Sequence, residues 1–66
     1  MWKVIYVSSR GTQVARLTRA LEEAGFLCQV RPLGAGGAAE ILVSATEAEE
    51  AQAVLARTMG ERPEEH

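Results

Sequence analysis

The residues best suited to chemistry lie in one short segment, residues 8–12, between a predicted strand and a predicted helix. Exposed backbone N–H groups at a helix start attract anions, and an arginine nearby adds positive charge. The same residue types occur in any tight turn that leads into a helix, and the segment matches neither a Walker A loop nor a dinucleotide fingerprint. The candidate site for a small anion or nucleotide consists of Ser9, Arg10, Gly11, Thr12 and Arg16.

Other catalytic and metal-binding groups are scarce. The chain has one cysteine, Cys28, one histidine, His66, and neither aspartate nor asparagine. One thiol cannot form an internal disulfide, and one thiol with one imidazole cannot complete a structural zinc site. We therefore predict no catalytic residue, no metal site and no cofactor. We expect Cys28 to pack as a small apolar side chain.

Size and charge set further limits. The 66 residues are enough for a single domain, and a core this small is marginal without help from association. Residues 1–33 carry five basic and two acidic side chains, a net charge of +3, whereas residues 34–66 carry two basic and seven acidic side chains, a net charge of −5. The two halves can complement each other within the fold, or they can steer a charged ligand or a neighbouring subunit.

The first half of the chain reads as a strand followed by a helix. Residues 2–7 are rich in β-branched and aromatic side chains, and strand alternation places Trp2, Val4 and Tyr6 on one face. Helical spacing of apolar residues predicts a helix over about 12–24, with Thr12 or Ser9 as its N-cap. Gly25 stands where a left-handed residue ends a helix.

The second half predicts two strands and a second helix. Residues 26–31 alternate as an edge strand that Pro32 stops, a glycine-rich hairpin follows over 33–38, and residues 40–44 form an apolar strand. Thr46 and Glu49 have the spacing of a capping box, so we expect a helix from near Glu47. The predicted buried stripe of that helix is Ala48, Ala51, Val54, Leu55 and Met59.

These elements predict an α+β fold of order β-α-β-β-α. The apolar third strand suits the centre of the sheet, which gives a three-stranded antiparallel sheet in order 1-3-2 with two helices on one face. This is a split β-α-β, ferredoxin-like arrangement that lacks the fourth strand. Residues 1–60 form the single domain, and residues 61–66 are expected to be a disordered polar tail.

Three stretches carry a family resemblance. They are the opening residues 1–7, the helix residues Ala15, Leu17, Leu21 and Glu22 with the following Gly25-Phe26-Leu27, and Glu40-Ile41-Leu42-Val43 before the last helix. With these the chain resembles the prokaryotic signal-transducing protein family, whose members are small single domains with a PII-like, ferredoxin-like fold. The resemblance covers about residues 2–59. It implies a regulatory role and brings no catalytic residue with it.

Three functional hypotheses remain. The first is a non-enzymatic regulatory or interaction domain that self-associates, because an edge strand that is apolar on both faces invites pairing with another chain. Its partner is a second copy or another protein, and the interface consists of Trp2, Val4, Tyr6 and Leu42. The second hypothesis is the anion or nucleotide site at residues 9–16. A hydrolase that uses glutamates as bases is the third.

Nucleic acids and membranes are not expected as partners. Trp2 and Tyr6 could stack RNA bases, but the third strand offers no aromatic residue and the net charge is −2. No apolar run approaches the ~20 residues of a membrane span, and the N-terminus lacks the features of a secretion signal. We therefore expect a cytoplasmic protein.

Overall fold

The sheet consists of three antiparallel strands, β1 (Trp2–Ser8), β2 (Cys28–Pro32) and β3 (Ala39–Ser44), in the order β1-β3-β2. They belong to a computed structural model that describes residues 1–60. The predicted order is confirmed, with the apolar β3 in the centre and β1 and β2 at the edges. The predicted tail over 61–66 lies outside the described residues.

Two helices cover one face of this sheet. Helix α1 (Gly11–Glu23) connects β1 to β2, and helix α2 (Ala48–Gly60) follows β3 after a 3₁₀ turn at Ala45–Glu47. The core lies between the sheet and the helices, and its largest fully buried side chains are Leu17, Leu21, Ile41 and Val43. The α+β fold of order β-α-β-β-α is therefore confirmed.

The end of α1 fixes how the chain enters β2. Gly25 has a φ of 96°, the Gly25 N–H donates to the Glu22 carbonyl at 3.0 Å, and the Phe26 N–H donates to the Leu21 carbonyl at 2.9 Å. This is a Schellman motif, in which a glycine takes the left-handed conformation and the next residues satisfy the last helical carbonyls. Phe26 packs against the core, so the predicted helix stop at Gly25 is confirmed.

A β-bulge in β1 changes which side chains face the helices. Val4 pairs with Leu42 and Tyr6 with Ile41, so Ile5 is an extra residue and the register shifts there. Ile5 and Tyr6 therefore both contact the core on the helix-covered face. Strict alternation, which places Tyr6 beside Trp2 and Val4, is wrong for this strand.

Both predicted helix starts differ from the structure. Arg10 is the N-cap residue of α1 and makes no side-chain capping bond, so neither Thr12 nor Ser9 caps this helix. Thr46 lies inside the 3₁₀ turn, where its hydroxyl lies 3.0 Å from the Ser44 hydroxyl, so the predicted capping box does not form. The 3₁₀ turn provides hydrogen-bond partners for backbone groups before the second helix, so α2 begins only at Ala48.

The buried stripe of α2 is confirmed except at its end. Ala48, Ala51, Val54 and Leu55 are buried, whereas Met59, in the last turn of the helix, is exposed. Neither helix within residues 1–60 is long and apolar enough to cross a membrane.

Candidate functional site

The face of the sheet opposite the helices carries an apolar cluster, which we call the open face. Cross-strand partners lie on the same face of a sheet, so Val4 and its partner Leu42 share this side with Trp2 and Val7. Leu42 is buried, at 6% exposure, yet it does not belong to the core under the helices. Trp2 and Val7 remain 42% and 54% exposed. The open face consists of Trp2, Val4, Val7 and Leu42.

The structure therefore corrects the predicted interface at one position. Trp2, Val4 and Leu42 lie together as expected, but the bulge turns Tyr6 towards the helices, where it packs against the core. The same register shift brings Val7 onto the open face opposite Glu40. The sequence gives no sign of this change, because residues 4–7 are all apolar and no polar residue marks which side faces water.

Polar residues border the open face on the β2 side. Arg31 pairs with Glu40 across β2 and β3, and the Arg31 Nε donates to the Glu40 Oε1 at 2.8 Å. Gln29 lies opposite Leu42 on the same face. The apolar part of the open face thus lies along β1 and at Leu42, and its charged, hydrogen-bonding part lies along β2 and at Glu40 of β3.

The outer edge of β1 also carries unpaired backbone groups. The Ala45 N–H donates to the Met1 carbonyl at 2.8 Å, and from there N–H and C=O groups alternate in direction along an antiparallel strand. The peptide groups of Trp2, Val4 and Val7 consequently point away from β3. Their spacing is uneven because of the bulge at Ile5, so an incoming strand cannot form a continuous ladder along β1.

The predicted anion site lies together at the start of α1. Ser9 and Arg10 form the exposed turn, Gly11 and Thr12 begin the helix, and Arg16 is exposed one turn further on. The Val14 N–H is the first that donates to an intrahelical carbonyl, that of Arg10, at 3.1 Å. The arrangement is that of an ordinary helix start, in which the earlier N–H groups have no intrahelical acceptor.

Ser8 organises this turn instead of Ser9. Ser8 is buried, its Oγ accepts a hydrogen bond from the Arg10 N–H at 3.0 Å, and its hydroxyl donates to the Gln13 Oε1 at 2.8 Å. The Arg10 N–H, one donor of the predicted anion site, is therefore already bonded to Ser8. Within the described part of the chain, every buried side-chain nitrogen and oxygen has a hydrogen-bond partner, so no buried polar side chain awaits an anion there.

Cys28 is half-buried at the start of β2. Its thiol lies 3.9 Å from the Thr18 carbonyl, to which the S–H donates, and the residue packs against the core as expected. Burial raises the pKa of the Cys28 thiol, and the negative charge of Glu22 raises it further. A raised thiol pKa lowers reactivity, which agrees with a packing role. Over residues 1–60 no group of three or more His, Cys, Asp or Glu side chains is placed to hold a metal ion.

Comparison with protein-family models, curated proteins and solved structures found no match for this chain. The resemblance to the signal-transducing family remains a prediction from the sequence.

Proposed function

We propose that this domain is a non-enzymatic interaction module that associates with a second copy of itself through the open face. The observation that carries the proposal is the apolar cluster of Trp2, Val4, Val7 and Leu42 on the side of the sheet that no helix covers, in which Trp2 and Val7 are exposed. Exposed apolar patches with a polar rim mark interaction surfaces. The resemblance to signal-transducing proteins supports a regulatory role for this association.

Two copies related by a two-fold axis can pack their open faces together. In such an interface the same surface serves both partners, so Trp2 and Val7 of one copy cover Leu42 of the other. The Arg31 side chain, which is 61% exposed, lies at the β2 edge of this face, and its ion pair with Glu40 offsets the burial of that carboxylate. Face-to-face packing of two sheets also leaves the irregular β1 edge out of the contact, so the bulge does not oppose it.

The size of the open face limits the strength of this association. Three strands about 4.8 Å apart and about six residues long present a face of roughly 300 Å². A standard interface buries about 800 Å² on each partner, so the face belongs to the weak, reversible class. We therefore expect a dimer that dissociates on dilution.

Sedimentation equilibrium tests the proposal with matched variants. The wild-type chain should shift from monomer to dimer as its concentration rises towards about 1 mM, where complexes of only ~4 kcal/mol are half formed. Val7→Lys adds a charge to the open face and should remain monomeric, with the melting temperature that the wild-type chain has at concentrations too low for dimers. Ala53→Lys adds the same charge to the exposed side of α2 and should behave like the wild type. A wild-type chain that stays monomeric throughout would rule the proposal out.

A further inference from the structure

The second free edge of the sheet, along β2, is regular. Its register with β3 runs without a shift from the Cys28–Val43 pair to the Pro32–Ala39 pair. The Leu33 N–H donates to the Ala38 carbonyl at 2.9 Å, so the residues that point their peptide groups towards β3 are Leu33, Arg31 and Gln29. The peptide groups of Cys28, Val30 and Pro32 consequently point outwards.

Proline suits this pattern because its missing N–H falls on the free side. Pro32 therefore removes no hydrogen bond from the β2–β3 ladder. The outer edge offers the N–H groups of Cys28 and Val30 and the C=O groups of all three outward residues. These groups repeat every two residues, as an extended polypeptide requires.

A groove of about 670 Å³ runs between this edge and α1. Val14, Ala15 and Thr18 line it from the helix, and Val30 and Pro32 line it from the strand. Val30 is 45% exposed although it lies on the helix-covered face, because α1 leaves this part of β2 uncovered. The volume lies within the range of about 300–1,000 Å³ that is typical of ligand sites.

The hairpin closes one end of the groove. Gly37 has a φ of 90°, and a Cβ atom there would lie at van der Waals distance, 3.4 Å, from the Gly11 nitrogen. The hairpin therefore lies beside the start of α1. Glu22 lines the groove as well, on the last turns of α1, towards the Cys28 end of β2.

We propose that this edge and groove bind an extended segment of a partner protein by strand addition. The backbone of the segment pairs with the outward groups of Cys28, Val30 and Pro32. Every second side chain then enters the groove, between Ala15 and Val30. This mode of recognition takes its affinity from main-chain hydrogen bonds and its specificity from side-chain pockets.

The residues that line the groove indicate which side chains the partner segment should carry. The apolar lining residues Val14, Ala15, Val30 and Pro32 favour apolar side chains at alternate positions of the partner segment. Two ion pairs are recorded in the described chain, Arg19–Glu23 and Arg31–Glu40, and neither includes Glu22. Arg19 also lines the groove, but its charge is paired with Glu23, so a basic residue in the partner beside the Cys28 end of β2 complements the Glu22 carboxylate.

A second copy fits this edge less well than another protein. In a two-fold β2–β2 pair centred on Val30, Pro32 of one chain would face Cys28 of the other. Since proline has no N–H, one Cys28 carbonyl on each side would stay unpaired. A partner segment without proline has an N–H group at this position, which can donate to the Cys28 carbonyl.

Selection from a displayed library of random ten-residue peptides tests the proposal on the full chain. Enriched peptides should carry apolar residues at alternate positions and a basic residue at one end. In a ¹⁵N-labelled protein they should shift the amide signals of Cys28 and Val30 and leave those of Trp2 and Val7 in place. N-methylation of one pairing amide in the peptide should weaken binding about tenfold, which is the loss of one well-placed hydrogen bond.

Three variants make the test specific. Ala15→Lys places a charge in the groove, and Val30→Pro removes an outward N–H while it keeps the ladder to β3, so each should abolish binding. Ala53→Lys should bind like the wild type. The proposal is overturned if no peptide is enriched, or if the enriched peptides bind both groove variants unchanged. It is also overturned if only a small apolar dye binds in the groove, or if Val30→Pro converts a dimer of the protein itself into monomers. Val7→Lys should still bind peptide, which separates this proposal from self-association through the open face.

Discussion

At the scale of residues, a side chain can form a hydrogen bond with a backbone group that has no backbone partner. Ser8 shows this most clearly, because its buried hydroxyl joins the Arg10 N–H and the Gln13 side chain across the turn between β1 and α1. A sequence pattern cannot choose between Ser8 and Ser9 as the residue that organises the turn. The choice depends on which serine faces the core, and the bulge at Ile5 sets that direction.

Replacing these two serines gives the first prediction. Ser8→Ala should destabilise the fold by about 1 kcal/mol, because it removes one buried hydrogen-bond network that includes the turn. Ser9→Ala should leave stability within about 0.5 kcal/mol, since Ser9 is exposed. Urea unfolding of both variants checks this, and equal losses would show that Ser8 has no special role in the turn.

The titration of Cys28 gives a second prediction at the residue scale. Burial and the charge of Glu22 raise the pKa of its thiol, so alkylation by iodoacetamide should reach half its maximal rate at a higher pH in the folded protein than in the urea-unfolded chain. The fold favours the neutral thiol, so this contribution to stability is present at neutral pH and is lost as the pH rises through the raised pKa. Glu22→Gln should lower the midpoint, whereas Glu23→Gln should not move it. Identical midpoints for the folded and unfolded chains would contradict this account.

At the scale of elements, β1 departs most from its sequence pattern. The existence of the two helices, the hairpin and the order β1-β3-β2 follow from apolar spacing, glycine positions and the apolar character of β3, and the structure confirms them. The helix starts differ, and β2 begins at Cys28 and includes Pro32, which pairs with Ala39 and does not end the strand before it. A strand with apolar side chains on both faces contains no alternation that could fix its register. The bulge at Ile5, and with it the exchange of Tyr6 for Val7 on the open face, could not be predicted for that reason.

The groove beside β2 could not be predicted from the sequence either. Val30 alternates with Gln29 and Arg31 as a residue of a covered face should, yet α1 leaves it exposed. The position of α1 over the sheet depends on how Leu17 and Leu21 pack between β3 and α2. Sequence spacing shows that these leucines are buried and does not show how far over β2 the helix reaches.

Gly25 provides a prediction at this scale. Gly25→Ala should cost about 1–2 kcal/mol, because a φ of 96° is unfavourable for a residue with a Cβ. Gly60→Ala is the matched control at the end of α2, where a Cβ would meet open space and the glycine has no left-handed φ, so stability should stay the same or rise slightly. Thermal unfolding of the two variants measures the difference, and equal effects would show that the Schellman motif does not hold the end of α1.

The whole molecule is a thin layer of sheet with helices on one side only. One face of the sheet packs against the helices to form the core, and the other carries Trp2, Val4, Val7 and Leu42, of which Trp2 and Val7 are exposed. A core of this size buries only roughly 60% of the surface of the unfolded chain, so covering the open face would add stability that the single chain lacks. The melting temperature should therefore rise with protein concentration.

The most direct test of self-association detects the contact itself. A mixture of ¹³C,¹⁵N-labelled and unlabelled protein at about 1 mM, a concentration suited to weak complexes, allows NMR to record only the contacts between different chains. The proposed dimer should give intermolecular NOEs from the Trp2 indole to methyl groups of Val7 and Leu42. An absence of such NOEs, or NOEs confined to β2 and α1, would contradict association through the open face.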